Sequence, residues 1–414
     1  MRILMVHWVY LPEFSGAALQ SHRLSKELQQ LGVSVQVLTG THERALVGID
    51  EQDGIIVHRV RRDRSSISGQ WQYWWGTQRA IRRLRPRIDL VHAHGFHPRA
   101  NLAARRAGLP MITKITNQSL DDPQSVLSSR LGGLRFRVYT MADAVIATSK
   151  VLEDSCRAAG LPGEKIVRIP NGVDTGVFHP ALPAEKASLQ RRLHSADDKI
   201  VLLTVGTVNY NKGLDTLVKA IYQLDDELKQ KIRLWVVGPT NNRNNLGTMQ
   251  TGFEDFIAKV RRMIKDFGLE DIVQFKGRQT DVQDYYRAAD IFVHPSRMEG
   301  QPNAILEAMA CGLPVVANLL PGITDEILQS GRYGLLVDAE NSAAFAAALR
   351  VLINNPSLRA RMGGQAQRHI ERYYSLRHIA QRYVSLYSSI IHKGTFDKLK
   401  AQSRAKALFP TVNK

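Results

Sequence analysis

A polar loop runs directly into a short predicted helix in the stretch Arg297-Met-Glu-Gly-Gln-Pro-Asn-Ala-Ile-Leu-Glu-Ala-Met-Ala-Cys-Gly312. Apolar runs of strand type flank this stretch, at residues 290–295 before the loop and 313–317 after the helix. Pro302 suits the first helical position, and Gly312 suits the residue just beyond the helix end. The order strand, loop, helix, strand predicts a βαβ unit and therefore an α/β fold with a parallel sheet.

Two carboxylates belong to this unit, Glu299 in the loop and Glu307 inside the helix. The helix start supplies free backbone N–H groups and the positive end of the helix dipole, which together form a phosphate site. A carboxylate at Glu307 can accept two hydrogen bonds from a vicinal diol, and Glu299 can hold further hydroxyls. Phosphate, diol and polyol indicate a sugar nucleotide; the alternative is that Glu299 caps the helix and Glu307 is a surface residue.

The same stretch resembles the signature of retaining glycosyltransferases of family 4, with Glu-x7-Glu followed by Ala-Met-Ala-Cys-Gly-Leu-Pro-Val-Val-Ala. Further matching segments follow the family's order and spacing: Ile169-Pro-Asn-Gly-Val-Asp-Thr-Gly-Val-Phe178, Lys212-Gly213 after a buried strand, and Leu-Leu-Pro-Gly-Ile-Thr-Asp-Glu-Ile at 319–327. The resemblance covers the C-terminal half almost throughout and the N-terminal half more loosely. It implies the GT-B fold, in which two Rossmann-like, doubly wound domains face a cleft and a C-terminal helix crosses back to the first domain.

Five segments are predicted along the chain. They are an acceptor-side domain at 1–178, a linker at 179–198, a sugar-nucleotide-binding domain at 199–374, a crossover helix at 375–392 and a basic tail at 393–414. Within the first domain, residues 117–130 are polar and predict a mobile loop over the acceptor side.

The resemblance implies roles for particular residues. Lys212, at a helix entrance, is expected to act as a point charge on the donor diphosphate. Glu307 is expected to hold the ribose diol, and Glu299 to hold donor-sugar hydroxyls and favour the cationic sugar ring, so Glu299 and Lys212 are the predicted catalytic residues. Further donor contacts are expected from Gly300, Gln301, Pro302, Asn303 and Gly16.

The chain departs from the family pattern at a phosphate-binding arginine. Relatives carry it a few residues before the lysine, where this chain has Thr207 or Val208. We expect a substitute from elsewhere in the second domain, with Arg278, in the loop after the predicted strand 272–277, as the candidate.

A second departure concerns a cleft histidine. Many relatives carry a histidine after the strand 110–115, where this chain has Thr116 followed by Asn117. Both residues are predicted to line the acceptor side, together with His94 from the cluster His92, His94 and His97. That spacing is also compatible with a zinc site, although no carboxylate or cysteine accompanies it.

Composition places the chain among soluble globular proteins. It has 414 residues, 44% of them apolar and 23% charged, which is enough for two domains with buried cores. The two cysteines, Cys156 and Cys311, lie far apart in sequence and favour a reducing cytoplasm over secretion. The N-terminal apolar run is too short for a signal peptide, and no apolar segment is long enough to span a membrane.

The formal net charge of +18 predicts an acidic partner surface. Between Arg59 and Arg87 nine arginines face a single acid, Asp63, and Trp71-Gln-Tyr-Trp-Trp75 lies among them. Arginine beside interfacial aromatics suits anionic lipid headgroups, so we predict a peripheral protein on the inner face of the plasma membrane. An ordinary solvated helix and a nucleic-acid surface are the alternatives, and the family architecture argues against nucleic acid.

The predicted function is a retaining hexosyltransferase. It would move a sugar from a UDP-sugar or GDP-sugar to a carbohydrate or lipid-linked acceptor, a glycolipid or lipid-linked oligosaccharide, in surface polysaccharide synthesis. No cofactor and no metal are expected, because Lys212 and helix N-termini oppose the charge that grows on the leaving phosphate. The alternatives are a sugar-nucleotide epimerase or hydrolase with the GT-B architecture and a non-catalytic scaffold that binds sugar nucleotide.

Overall fold

The computed structural model describes residues 1–13, 15–63, 67–118, 121–193, 198–240, 253–338 and 341–408, with the last helix given as backbone only beyond residue 393. The chain divides into two compact units. Unit 1 holds Met1–Thr148, Leu152–Ile169 and the described residues from Ala380 onward, and unit 2 holds Ser149–Val151 and Pro170–Ile379.

Unit 1 is built on a parallel sheet that is buried on both faces. Its strands are β1 (Arg2–His7), β2 (Ser34–Thr41), β3 (Gly48–Gln52), β4 (Ile55–Arg61), β5 (Leu90–His94), β6 (Met111–Lys114), β7 (Ala144–Ala147) and β8 (Ile166–Arg168). The helices up to Ile169 are α1 (Gly16–Gln30), α2 (Ile67–Leu84), α3 (Pro98–Arg106), α4 (Pro123–Leu127), α5 (Gly132–Thr140) and α6 (Lys150–Ala158). In the described chain the strand order is β3-β4-β2-β1-β5-β6-β7-β8, and β3 alone runs antiparallel to its neighbour.

Two local features of unit 1 differ from the prediction. Strand β3, which the sequence did not predict, pairs with β4 through a tight turn at Asp53 and Gly54, both with positive φ. Most of β3 is polar and exposed, so it lacks the hydrophobic pattern that predicts strands. The predicted mobile loop at 117–130 contains helix α4, which Asp122 caps by accepting a hydrogen bond from the Ser125 N–H at 3.1 Å.

Unit 2 is a second doubly wound domain. Its strands are β9 (Ile200–Val205), β10 (Ile232–Val237), β11 (Val273–Gly277), β12 (Ile291–His294), β13 (Val315–Asn318) and β14 (Gly334–Val337). The remaining helices are α7 (Pro183–Arg192), α8 (Leu214–Tyr222), α9 (Asp226–Gln230), α10 (Phe253–Asp266), α11 (Val282–Ala288), α12 (Asn303–Ala310), α13 (Thr324–Ile327), α14 (Ser342–Asn354), α15 (Pro356–Tyr373) and α16 (Leu376–Leu408). The strand order β11-β10-β9-β12-β13-β14 is parallel throughout the described residues.

Each sheet contains one point where the strand order reverses direction. In unit 1 this switch point lies between β1 and β5, and in unit 2 it lies between β9 and β12. Loops that leave adjacent strands on opposite sides of such a point open a crevice at the carboxyl edge of the sheet. The topology therefore directs attention to the residues that follow these four strands.

The predicted domain boundary at 178 and the predicted linker at 179–198 differ from the observed division. The continuous part of unit 2 already begins at Pro170, and half of the predicted linker is helix α7. This helix packs on unit 2 through buried Leu189 and through Lys186, whose Nζ lies 2.7 Å from Asp290 Oδ1. Further charged side chains of α7 form ion pairs with α11, where Arg192 pairs with Asp284 and Glu185 pairs with Arg287.

The last helix, α16, starts in unit 2 and continues in unit 1 from Ala380, as the GT-B resemblance implies. In unit 1 the Tyr387 hydroxyl lies 2.8 Å from His92 Nδ1. The helix extends past the predicted end at 392 through Leu408, while residues 409–414 of the predicted basic tail and the polar loop 241–252 lie outside the described residues. Within the described chain, no helix combines the length and apolarity that crossing a bilayer requires.

Candidate functional site

The loop between β12 and α12 is fixed to the loop between β9 and α8. The Arg297 N–H donates to the Asn211 carbonyl at 2.7 Å, and the Ser296 hydroxyl donates to the same carbonyl at 2.9 Å. Gly213 makes this contact possible, because a Cβ there would lie 2.0 Å from the Pro295 carbonyl oxygen. Its φ of +67° also favours glycine. The two loops on either side of the unit 2 switch point therefore form one structural piece.

An ion pair joins the two loops at this switch point. Lys212 Nζ lies 2.5 Å from Glu299 Oε1, and His294 Nε2 lies 3.0 Å from the same oxygen. The Glu299 side chain is 11% exposed and that of Lys212 is 32% exposed. The predicted catalytic residues are thus in contact, and His294, the last residue of β12, joins them.

The charge state of Glu299 follows from these neighbours. Burial alone would raise the pKa of the Glu299 carboxyl, but the positive charge of Lys212 and the hydrogen bond from His294 together hold that pKa far below its usual range. Glu299 is therefore a carboxylate across the physiological pH range. This negative charge would stabilise a ligand ring that carries hydroxyl groups and a positive charge, if the ring lay next to the carboxylate.

Glu307 lies one and a half turns into α12 and is buried. Its Oε2 accepts a hydrogen bond from the Tyr286 hydroxyl of α11 at 3.0 Å. The end of α12 is held in place by α15, because a Cβ on Gly363 would lie 1.9 Å from the Gly312 carbonyl oxygen. Glu307 therefore projects from a helix that is fixed at its far end.

The start of α12 is tied to the Ile169–Phe178 stretch. The Asn171 N–H donates to Gln301 Oε1 at 2.6 Å, and Asn171 Nδ2 donates to Asn303 Oδ1 at 2.9 Å. Pro302 is the N-cap residue of α12, and Gly300 is buried in the preceding loop. The predicted donor-loop residues are therefore neighbours, and two of their side chains hold the Asn171 turn.

Sequence reasoning missed an arginine clamp beneath this loop. Arg297 Nη1 lies 2.9 Å from Asp215 Oδ1 and Arg297 Nη2 lies 3.2 Å from Asp215 Oδ2, while Nη2 also donates to Thr216 Oγ1 at 3.1 Å. The guanidinium stacks on the Tyr210 ring at 4.3 Å. Bidentate pairing and stacking make this a positioning residue for the loop, a role to which arginine is suited and lysine is not.

Two further predicted donor contacts are Arg278 in unit 2 and Gly16 in unit 1. Arg278 is exposed directly after β11, and the sheet order puts β10 between β11 and β9, so Arg278 stands about 10 Å from the line of β9. Gly16 belongs to unit 1, where it opens α1 behind the capping side chain of Ser15. The expectation that Arg278 replaces the missing arginine stays a prediction.

The unit 1 switch point is lined by buried histidines. The ring centroids of His7 and His94 lie 4.3 Å apart, and those of His92 and His94 lie 4.2 Å apart. Burial lowers the pKa of all three rings well below the usual value, and Lys114, at the end of β6, lowers it further. His94 Nε2 and His92 Nε2 have no hydrogen-bond partner among the described residues. These rings are neutral at pH 7.

Thr116 and Asn117 are held by one buried carboxylate that the sequence reasoning overlooked. Asp121 Oδ2 accepts from the Thr116 N–H at 3.0 Å and from the Thr116 hydroxyl at 2.7 Å, and Oδ1 accepts from the Asn117 N–H at 2.7 Å. Burial raises the pKa of Asp121 to about 6. The available signal was a carboxylate seven residues after the end of β6, in the polar segment that follows the strand.

The histidines do not form a recognisable metal centre. Among the described residues, no group of three or more His, Cys, Asp or Glu side chains has an arrangement that would hold a metal ion. The rings of His7, His92 and His94 instead pack against one another at interplanar angles of 32° and 33°, and His92 also contacts Tyr383 and Tyr387 of α16. Their contacts are those of a packed polar layer at the sheet edge.

Comparison with known proteins identifies the family. A profile described as Glycosyltransferase Family 4 matches residues 14–177, and one described as Glycosyl transferases group 1 matches residues 185–369. The D-inositol 3-phosphate glycosyltransferase 2 of Catenulispora acidiphila is 30% identical over 376 residues, which are 84% of each chain. The D-inositol 3-phosphate glycosyltransferase of Kineococcus radiotolerans is 30% identical over 381 residues, again 84% of each chain.

This chain belongs to glycosyltransferase family 4.

Solved structures show that this family 4 glycosyltransferase has the GT-B fold. Anabaena HepE in complex with UDP and glucose superposes with a TM-score of 0.77 at 22% identity, over 94% of this chain and 100% of that one. WaaG, a glycosyltransferase involved in lipopolysaccharide biosynthesis, superposes with a TM-score of 0.70 at 19% identity, over 94% and 99%. The predictions of family, of fold class and of a hexosyltransferase are confirmed.

Proposed function

We propose that this glycosyltransferase transfers a hexose, with retention of anomeric configuration, from a nucleoside diphosphate sugar to a lipid-linked oligosaccharide or glycolipid in surface polysaccharide synthesis. The observation that carries the proposal is the Lys212–Glu299 ion pair at the unit 2 switch point, 2.5 Å long and supported by His294. It puts a cation for phosphate and a carboxylate for sugar hydroxyls side by side. The complex of HepE with UDP and glucose supports the same ligand class.

Lys212 is the proposed electrophilic catalyst. When the bond between the anomeric carbon and the diphosphate breaks, negative charge grows on the β-phosphate, and an ammonium group next to it stabilises that charge. The ammonium group is paired with Glu299. Donor phosphate takes over this cation, which leaves the Glu299 carboxylate to accept hydrogen bonds from the sugar and to favour its cationic ring.

Glu307 is the proposed ribose ligand. Its carboxylate is buried and one oxygen is oriented by Tyr286. Burial deprives this carboxylate of hydrogen bonds from water. The two hydroxyl groups of a vicinal diol replace those hydrogen bonds. With Lys212 on the phosphates, no metal ion is needed in this scheme, so metal-independent turnover is part of the proposal.

Donor binding is tested by thermal shift with UDP-glucose and GDP-mannose. We expect one of the two to raise the melting temperature of the wild type, Glu307→Gln to abolish most of that rise, and the exposed control Glu270→Gln to leave it unchanged. If neither nucleotide sugar shifts the wild type, or if Glu307→Gln responds like the wild type, the proposed donor site is wrong.

Transfer is tested separately from binding. We expect radiolabelled hexose to enter the organic phase only when bacterial lipid extract is added, with EDTA present throughout. Consumption of donor without any acceptor would instead favour the epimerase or hydrolase reading. Because two relatives are named D-inositol 3-phosphate glycosyltransferases, a further reaction uses D-inositol 3-phosphate as the acceptor. Transfer to this soluble polyol alone would overturn the assignment of a lipid-linked acceptor.

Membrane association is proposed through α2 and α3. A groove of about 1350 Å³ between them is lined by Trp71 and Trp75, and by Arg79, Arg82 and Arg106. Trp71 is 56% exposed and Trp75 is 62% exposed. Exposed tryptophans beside arginines suit the headgroup layer of an anionic membrane.

Vesicle sedimentation tests this surface. Binding to phosphatidylglycerol/phosphatidylcholine vesicles is expected to fall as salt rises from about 0.05 to about 0.5 M, because the Debye length shortens. Arg82/Arg83/Arg85→Glu is expected to abolish binding, whereas Arg261/Arg262/Lys265→Glu, which makes the same change of charge on α10, should retain it. Equal loss in both variants would mean that net charge, not this surface, drives association.

A further inference from the structure

A compact helical hairpin, α4 and α5, presents apolar side chains to solvent. Leu127 is 41% exposed, Leu131 is 70% exposed and Leu134 is 64% exposed. Single exposed leucines are ordinary on protein surfaces, but neighbouring ones on one short hairpin form a patch of the kind that contacts a partner. The inward face of the same hairpin is occupied by buried Val126 and Tyr139.

Leu131 adopts a backbone conformation that leucine normally avoids. Its φ is +62° and its ψ is +27°, in the left-handed helical region, which is unfavourable for residues other than glycine and asparagine. Gly132 and Gly133 follow immediately, so glycine stands next to the position without occupying it. A strained, mostly exposed leucine is better explained by an external contact than by packing within the described chain.

The turn that carries Leu131 is rigid. A Cβ on Gly132 would lie 1.8 Å from the Leu127 carbonyl oxygen, and the Ser129 hydroxyl donates to the Val126 carbonyl at 2.6 Å. Arg135 Nη1 donates to the Ser129 hydroxyl at 2.7 Å. A preorganised apolar surface loses little conformational entropy when a ligand covers it.

Charge and position restrict the ligand. From Pro123 to Thr140 the sequence carries Arg130, Arg135 and Arg137 and no acid. The hairpin follows β6, and the Arg135 guanidinium lies 5.3 Å above the ring of Phe96, which follows β5. It is therefore at the carboxyl edge of the unit 1 sheet, the edge that also carries Thr116, Asn117 and His94.

We infer that the α4–α5 hairpin binds the hydrocarbon chain of a phosphate-bearing lipid, with its leucines on the chain and Arg130 and Arg137 on the phosphate. The ligand is a single amphiphile, the lipid part of the transferase acceptor. In that identification the inference rests on the proposed function. The α4–α5 hairpin would then select acceptors by their apolar chain. It is separate from the basic groove between α2 and α3.

Alkyl phosphates of different chain length test the inference by calorimetry below their critical micelle concentrations. The wild type is expected to bind dodecyl phosphate at least roughly ten-fold more tightly than butyl phosphate, because the longer chain buries more methylene groups. Leu131→Ser/Leu134→Ser should lower this chain-length preference about five-fold. The control Leu182→Ser, which changes a leucine of unit 2 that is 73% exposed, should keep the preference.

Two further variants distinguish a loss of lipid binding from a loss of folding. Leu131→Gly should raise the melting temperature, since it relieves the left-handed strain, and still weaken dodecyl phosphate binding. Arg130→Gln/Arg137→Gln should weaken both phosphates by the same factor. An unchanged chain-length preference in Leu131→Ser/Leu134→Ser overturns the inference, as does a wild-type dimer in light scattering that this variant turns into monomer, because the patch is then an interface between copies.

The donor assay separates failure of this inference from failure of the proposed function. A hairpin variant that loses dodecyl phosphate but keeps the nucleotide-sugar shift supports the inference. Loss of chain-length preference in the wild type itself, with the nucleotide-sugar shift intact, overturns the hairpin assignment and leaves the transferase assignment standing.

Discussion

The two switch points share one topology and have opposite electrostatics. In unit 2, Lys212 and Glu299 meet as a charged pair that is partly open to solvent. In unit 1, His7, His92 and His94 are buried, and burial lowers the pKa of each ring so that all are neutral at pH 7. Two crevices of the same topology therefore differ in their chemistry, because the residues that end the strands are a charged pair in unit 2 and a layer of neutral rings in unit 1.

Removing the cation of unit 2 should have the largest effect. Lys212→Ala is expected to lower kcat about 10²–10³-fold, the usual loss when a donor to developing negative charge is removed. Lys219→Ala, an exposed lysine on α8, is the matched control and should stay near the wild type. Transfer from the nucleotide sugar identified by thermal shift is the measurement, and a loss of only a few-fold in Lys212→Ala would remove the basis for the charged switch point.

The backbone contact that unites the unit 2 loops comes next. Gly213→Ala is expected to cost about 3 kcal/mol in free energy of unfolding, because it combines left-handed strain with a clash at the Pro295 carbonyl. Gly268→Ala, with a similar φ of +64° and no atom within 4 Å, should cost only about 1 kcal/mol. Urea unfolding measures both; equal costs would show that the loops can separate freely.

The arginine clamp should give a smaller change. Arg297→Lys keeps the charge but loses the bidentate contact with Asp215 and the flat stacking on Tyr210, so we expect about 2 kcal/mol lower stability. The nucleotide-sugar shift should weaken in parallel, since Glu299 lies two residues away. A stable variant with a normal shift would mean that the loop positions itself without the clamp.

The smallest effect is a pH slope that separates the two units. A histidine whose folded pKa is lowered keeps its full stability contribution above the unfolded pKa near 6.5 and loses it as pH falls, by about 1.4 kcal/mol per pH unit. Glu299 has a lowered pKa as an acid, so its contribution is complete above its unfolded value of 4.5 and is lost progressively as pH falls from 4.5 toward the lowered pKa. Between pH 6.5 and 4.5 we therefore expect the histidine layer of unit 1, not the ion pair of unit 2, to cause acid destabilisation.

His94→Phe tests this difference. It should flatten the pH dependence of unfolding free energy between pH 6 and pH 5 by about 1.4 kcal/mol per pH unit, measured by urea unfolding at each pH. A slope equal to that of the wild type would mean that His94 is protonated in the folded protein.

The two units also differ in how many of their features can be predicted from the sequence. The proximity of Lys212 and Glu299 was predictable because Glu299 lies in one continuous motif stretch and Lys212 follows a neighbouring buried strand, with strand and helix periodicity on either side. The residues that hold this site in place were not predictable. Asp215 and Tyr286 come from other elements, and contacts between residues far apart in sequence leave no local sequence pattern. In unit 1, exposed β3 has no hydrophobic alternation, and Asp121 acts through a turn that only tertiary structure defines.

The close approach of Gly363 to the Gly312 carbonyl has a consequence for how donor preference changes in evolution. Any side chain at Gly363 would push α15 off the end of α12 and carry Glu307 with it. We expect this position to remain glycine, so that the proposed ribose contact of Glu307 is preserved while substitutions in the loop before the helix change the donor sugar. A library randomised at residues 296–301 should therefore yield altered donors far more often than one randomised within α12.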